Sequence, residues 1–355
     1  MGADNRGWSR NATKRKPLPS RPRIGNVAGP IRFRRATDRW HIDRVRNALY
    51  NPLDSRFGAD LASPWFVPPA GHDARRLEMA NGDLALFAWA ENGDGAWWLG
   101  NTETPKTLWK TEKYSFEEAP DGVAEWAQRE LLATLEVEDP WLADYEVLSW
   151  FFLPVFFSKD GREVTRRFFA EDAAGFPDAG REEGTTFYDD FLATGLLDDY
   201  RYTMATKLGT SEQFDRTRMR ATMGEFDAAK LLSDAGHDLA PEVELDSGHA
   251  LDFRVDGHTL VEVTRPQPPG NRRAGTPAAA LRETVDGKTS DQLRAHDGAT
   301  LLVDCTSFRD DEWSAVMGER PAVGYEPTVV YRYRPDGSLS GYTRGSVPLE
   351  VADLL

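Results

Sequence analysis

The order of apolar patterns between Arg218 and Val303 constrains this chain more than any other feature. Arg218–Ala235 spaces its apolar residues at helical intervals and meets a stop at Gly236. Three short segments follow in which apolar and polar residues alternate: Glu242–Leu245, Ala250–Val255 and Thr259–Thr264. Pro266, Pro268, Pro269 and Gly270 end the third. Pro277 then opens a helix through Ala278–Thr284, which Gly287 is expected to interrupt and Ser290 or Asp291 to restart. Ala299–Val303 is a short apolar strand. Asp311–Met317 has helical character, and Thr328–Arg334 with Leu339–Thr343 reads as a hairpin over Pro335-Asp336-Gly337. This order predicts a mixed sheet flanked by helices, within an α+β or α/β class.

At 355 residues, the chain is longer than one core usually spans, so a second unit is expected before this one. Residues 1–30, rich in Pro, Gly, Asn and Arg, read as a flexible basic arm. Residues 31–210 read as a separate α+β unit to which the sequence gives no role, and residues 211–355 as the sheet-and-helix unit. Within 31–210 we expect a short helix near Asp38–Tyr50. Strands at Leu84–Ala90 and Ala96–Gly100 flank the turn Asn92-Gly93-Asp94-Gly95. A helix is expected over Val123–Leu135, strands over Val147–Ser158 and Glu163–Phe169, and a helix over Phe187–Leu208 broken near Gly195.

Composition excludes several function classes. Cys305 is the single cysteine, so neither an intrachain disulfide framework nor a cysteine-rich zinc site is available. The six histidines lack zinc-ligand spacing. No apolar run is long enough to cross a bilayer, and the basic N-terminus is not followed by an apolar stretch, so neither a membrane span nor a secretory signal is expected. The expected location is cytoplasmic. Net charge is −15, and the 43 basic residues comprise 34 Arg and only 9 Lys. An acidic, Lys-poor surface suits a high-salt cytoplasm, where repelling carboxylates keep a chain dissolved. Residues 1–46 invert the balance, with 13 Lys or Arg against Asp4, Asp38 and Asp43. Such an arm suits contact with nucleic acid and suits docking on the protein's own acidic surface equally well.

Most acids on such a chain are solvated surface, so an acid matters only where its position is wrong for a surface. Glu225 meets that test: Ala221, Ala228, Ala229 and Leu232 fall within about 60° of it on a helical projection. In the second strand Asp252 shares a face with Ala250 and Arg254; in the third Glu262 shares a face with Leu260 and Thr264. Whether the two acids meet depends on the turn at Asp256-Gly257. A two-residue loop pairs Val255 with His258 and puts them on opposite faces. A three-residue loop, Val255-Asp256-Gly257, pairs Asp252 with Leu260, makes Asp252 and Glu262 neighbours on one face, and gives Gly257 the left-handed position. Two close carboxylates would suit Mg²⁺ or Mn²⁺, hard cations that take oxygen ligands and can activate water toward a phosphodiester.

Glu225, then Leu251-Asp252-Phe253, then Val261-Glu262-Val263-Thr264 together resemble the PD-(D/E)XK superfamily, which includes restriction endonucleases and Holliday-junction resolvases. The resemblance covers roughly Gly224–Phe308 and implies a restriction-endonuclease-like sheet. It also implies that Glu225, Asp252 and Glu262 are catalytic, with Asp252 and Glu262 holding the metal, and that DNA or RNA is the substrate. That superfamily's lysine, two residues after the second acid, is Thr264 here. In some members the lysine has moved to the following helix, which makes Lys288 the catalytic substitute, with Gln292 at i+4 as support if the helix continues through Gly287. Thr264 and Arg265 are further supporting candidates. An inactive nuclease-like fold serving in binding or regulation stays open as the alternative, and so does a homodimer. The whole chain also resembles an uncharacterised protein family of salt-loving archaea, which brings no assigned activity.

Overall fold

The architecture was obtained as a computed structural model describing residues 31–93, 95–115, 118–159, 161–209, 214–244, 250–269, 275–291, 293 and 298–355. The expected arm at 1–30 and Gln292 lie outside the described residues. The chain is α+β and contains two six-stranded sheets. The first comprises β1 (Arg32–Ala36), β2 (Asp60–Ala62), β3 (His72–Glu78), β4 (Leu84–Ala90), β5 (Ala96–Gly100) and β6 (Glu112–Lys113), in the order β2-β3-β4-β5-β1-β6. Every residue of β4 and β5 is buried, which is why both read as near-continuous apolar runs. One face packs on α1 (Ile42–Val45), the π-helical turn Arg46–Tyr50 that continues it and α2 (Asn51–Phe57), through Val45, Leu49 and Leu53. The other packs on α3 (Asp121–Glu138), through Val123 and Trp126.

The two strands expected between Val147 and Phe169 are helices instead: α4 (Glu146–Phe151), α5 (Leu153–Phe156) and α6 (Arg162–Asp172). Phe151, Phe152, Phe156 and Phe157 are buried on every side, so the run shows neither a twofold nor a 3.6-residue period. In α6 the helical signal was present, because Thr165, Phe168, Phe169 and Asp172 are its buried residues, at i, i+3, i+4 and i+7. The expected helix broken near Gly195 is found as α7 (Arg181–Leu192) and α8 (Arg201–Leu208). Among the described residues, no helix is long and apolar enough to cross a membrane.

The second sheet follows α9 (Arg216–Asp234). It comprises β7 (Leu239–Glu244), β8 (Ala250–Val255), β9 (Thr259–Thr264), β10 (Thr300–Asp304), β11 (Thr328–Tyr333) and β12 (Leu339–Arg344), in the order β12-β11-β10-β9-β8-β7. β7–β8, β8–β9 and β11–β12 are antiparallel, and β9–β10 and β10–β11 are parallel, so the sheet is mixed, as expected. The parallel β9–β10 pair requires a crossover, supplied by α10 (Pro277–Asp291). α10 runs through Gly287 without the expected interruption. A mid-helix glycine costs about 1 kcal/mol, and burial of Ala280, Leu281 and Val285 against the sheet outweighs it. α9 covers the face carrying Phe253, Val261, Val263 and Leu302. α10 and α11 (Asp310–Glu319) cover the face carrying Leu301, Val303 and Val330.

Bonds also cross residue 210. Tyr188 Oη donates to Asp227 Oδ1 at 2.8 Å, and Arg220 forms a two-nitrogen pair with Asp172 at 2.7 and 2.8 Å. The sheet is thus tied to the helices that precede it.

Candidate carboxylate–lysine site

The site begins with the β8–β9 turn. Val255 pairs with Thr259, Arg254 with Leu260 and Phe253 with Val261, so the loop is Asp256-Gly257-His258. It has the odd length that the acidic cluster requires, but it sits one residue later than expected. Beyond the last paired residues, Phe253 and Val261, the next step along each strand is therefore Asp252 and Glu262, rather than Asp252 and Leu260. Asp256 and Gly257 both take left-handed backbone, at φ 49° and 75°. Gly257 bears this without strain, and Asp tolerates it better than most residues. Asp256 is held there on three sides: its N–H donates to the Asp238 carbonyl, its carboxylate accepts from the Asp238 N–H, and His237 lies 2.7 Å from Oδ2. The His237 hydrogen bond holds the Asp256 carboxyl below its usual range.

Where the ladder ends, Asp252 Oδ2 accepts a hydrogen bond from the Val263 N–H at 2.7 Å. The carboxylate thus satisfies a backbone donor beyond the last strand pairing. Glu262 is buried on the α10 face, and its Oε1 lies 2.6 Å from Lys288 Nζ. The unbroken α10 is what carries Lys288 to this position. Glu225 approaches from α9, its side chain only 16% exposed, and Lys207 Nζ lies 2.5 Å from its Oε2. Ala228, Ala229 and Leu232 are buried as expected, but Ala221 is exposed, so Glu225 stands at the end of the apolar stripe rather than its centre.

Sequence reasoning missed two members. Lys207 comes from α8, and Glu242 from the edge strand β7, its Oε1 3.3 Å from Lys207 Nζ. The rarity of lysine, 9 in 355 residues, was the available signal for Lys207. Nothing local marks Glu242.

Electrostatics follow from burial and crowding. Burial pushes the Glu225 carboxyl up to about 7, with the Asp252 charge adding to the rise and Lys207 opposing it. Burial likewise pushes Glu262 up to about 7, helped by Asp252 and opposed by Lys288 and Lys207. Asp252 is raised by burial against the Val263 hydrogen bond and both lysines. Burial disfavours the Lys207 ammonium, but Glu225, Asp252 and Glu242 outweigh it and its pKa is raised. With Glu225, Glu242, Asp252 and Glu262 ionised and both lysines charged, four negative charges face two positive ones. Among the described residues, no group of three or more His, Cys, Asp or Glu side chains is arranged to hold a metal ion.

The supporting candidates are placed differently. Thr264 is buried on β9 two residues after Glu262. Arg265 is fully buried on the opposite face, against α9, and cannot support Glu262. Its Nε donates to Ser307 Oγ at 2.8 Å and lies 3.2 Å from Asp304 Oδ2, and its Nη1 lies 3.3 Å from Asp227 Oδ2. Gly224 permits this packing: a Cβ there would stand 3.2 Å from Asp304 Oδ2 and 3.3 Å from Arg265 Cβ. The Oδ2 atoms of Asp227 and Asp304 are buried and receive no hydrogen bond. Burial and the neighbouring Asp304 hold the Asp227 carboxyl well above its usual range, against the pull of Arg265.

No curated protein matches the chain. Among solved structures, the CdiA-CT/CdiI toxin and immunity complex from Burkholderia pseudomallei overlays at 15% identity, covering 37% of this chain and 89% of that one. Its TM-score of 0.26 is too low to bear on fold or function. A family profile matches residues 28–351, nearly the whole chain, and the protein belongs to the family described as a family of unknown function (DUF5784).

Proposed function

We propose that the protein is a metal-dependent nuclease of the PD-(D/E)XK kind, hydrolysing phosphodiester bonds of DNA or RNA. The observation that carries this reading is the 2.6 Å contact between Lys288 and Glu262, beside Asp252 at the end of the β8–β9 ladder. It supports the reading by setting an ammonium against one of the two acids that the resemblance makes catalytic, although residue 264 is threonine. Asp252 and Glu262 are the residues that would hold Mg²⁺ or Mn²⁺. Their hard oxygens suit it, and Mg²⁺ characteristically takes only one or two carboxylates and keeps several waters. When bound, the ion would supply Lewis acidity for the attacking water and the phosphate.

The protein's own groups divide the remaining work. Glu225, held near a pKa of 7, is suited to orient the attacking water and accept its proton at neutral pH. Lys288 supplies positive charge for the negative charge that builds on the phosphate as the new P–O bond forms and the ester P–O bond breaks. The test is incubation of the purified protein with plasmid, single-stranded and branched DNA and with RNA, in high salt with Mg²⁺ or Mn²⁺. Cleavage that Asp252→Ala abolishes is expected; equal cleavage by both proteins would reject the site. Thr264 favours a second reading, a nuclease-like sheet kept for binding, under which wild-type protein would retain nucleic acid without cutting it.

A further inference from the structure

We infer that Lys207 is a positioning residue of this site: α8 delivers it from outside the segment carrying the acids, and its ammonium holds Glu225 and Glu242 together beside Asp252. The inference rests on the functional reading above for its catalytic consequence, and on geometry alone for its structural one. Lys207 Nζ lies 2.5 Å from Glu225 Oε2 on α9 and 3.3 Å from Glu242 Oε1 on β7. Its reach extends further, since the charge also acts on Asp252 and Glu262. One ammonium therefore faces carboxylates drawn from one helix and three neighbouring strands.

Two features show that this placement is built. The carbonyls of Lys207 and Leu208 accept hydrogen bonds from Arg218 at 2.8 and 3.1 Å, so α9 fixes the end of α8 from which the lysine projects. Glu242 adopts a left-handed φ of 53° within β7, a conformation that costs free energy for a residue with a Cβ. It stands between Pro241 and Val243, which pair with Phe253 and Leu251, and so lies across from Asp252. Two carboxylates so placed repel one another, and the Lys207 ammonium offsets that repulsion. Without it, Glu225 would turn from Asp252 toward water and lose its place for orienting a nucleophile.

A plain tie between α8 and α9 would act on Glu225 alone, and this difference supplies the experiment. Full-length wild-type protein, Lys207→Met, Lys207→Arg, Asp252→Asn and the double variant Lys207→Met/Asp252→Asn are unfolded with denaturant at pH 8. The expected result is non-additivity: the loss caused by Lys207→Met falls by at least half in the Asp252→Asn background, because the repulsion it exposes is gone. Additive losses would overturn the inference whether or not the protein cleaves nucleic acid. If wild type cleaves plasmid DNA with Mg²⁺, Lys207→Met should lower kcat tenfold or more with KM little changed and displace the pH profile, while Lys207→Arg restores most of the rate. Unchanged kcat and pH profile in Lys207→Met would equally overturn it. Should Lys207→Met fail to fold, Lys207→Gln takes its place in both measurements. A wild type without cleavage rejects the functional reading, and the unfolding cycle then decides the positioning role by itself.

Discussion

Two clusters of charge flank the end of β9, at Glu262 and, three residues later, at Arg265. On the α10 face, Glu262 meets Lys288, whose side chain is 32% exposed. On the α9 face, Arg265 meets Asp227 and Asp304, and none of the three side chains is exposed at all. The exposed cluster has more acids than bases and carboxyls lifted toward neutrality. The sealed one satisfies its guanidinium with Ser307 and the Arg220 and Gly175 carbonyls. Access to water separates a group of side chains that can exchange protons with solvent from one that is sealed within the fold. Arg265 and Glu262 are equally conspicuous in the sequence, and only the face each takes assigns them different work.

Substitutions can break this contrast. The largest stability loss is expected for Arg265→Leu, which strands two buried carboxyls; removing one partner of a buried ion pair costs about 3–5 kcal/mol, read by denaturant unfolding. A loss near zero would show that water reaches the sealed cluster. On the other face Lys288→Ala should cost less stability than Arg265→Leu, because the Glu262 carboxyl it leaves is pushed up to about 7 and can take up a proton. Under the proposed function it should reduce nuclease turnover by about 10²-fold, the scale of losing one charge-stabilising donor. A comparable stability loss at both positions would erase the distinction.

The pH dependence sharpens the contrast further. Glu225 and Glu262 titrate near 7 when folded, above the ordinary glutamate value of 4.5 from which they are raised. The folded state therefore binds more protons than the unfolded state between those values, so stability is fully present below about 4.5 and falls as pH rises to about 7. Unfolding midpoints across that window check the sign, and Glu225→Gln should flatten the slope. The smallest effect is expected for Asp227→Asn. Asp227 is already driven toward its neutral form, so an isosteric amide should cost about 1 kcal/mol, the scale of one altered hydrogen bond. Asp304→Asn, which removes the charge facing Arg265, should cost more in the same unfolding assay.

Much of the second sheet was legible in the chain. Ala250–Val255 alternates because the side carrying Leu251, Phe253 and Val255 is the more buried, whereas both sides of Thr259–Thr264 are covered from Val261 onward, and both strands occur at those bounds. The turn chemistry of Asp256-Gly257 permitted both a two-residue and a three-residue loop, and the structure has three residues, Asp256-Gly257-His258. That choice depends on Asp238 and His237, which lie far back in the chain and bind Asp256 only in the folded protein. The helix over 162–172 was missed although its buried positions have helical spacing, because the aromatic run before it masks any period. Gly287 suggested a break that packing against the sheet overrides.

By itself, then, the sequence determined the alternation of helix and strand after residue 218, the placing of Asp252 and Glu262 on one face on the condition of an odd loop, and Lys288 as the lysine available to them. These are local properties, set by side-chain period, turn residues and the scarcity of lysine. The tertiary structure alone decided that Arg265 is sealed on the far face, that α10 continues to Lys288, and that Lys207 and Glu242 join the acids. Each of these depends on contacts between elements distant in the chain, where burial and charge neutralisation outweigh local preference.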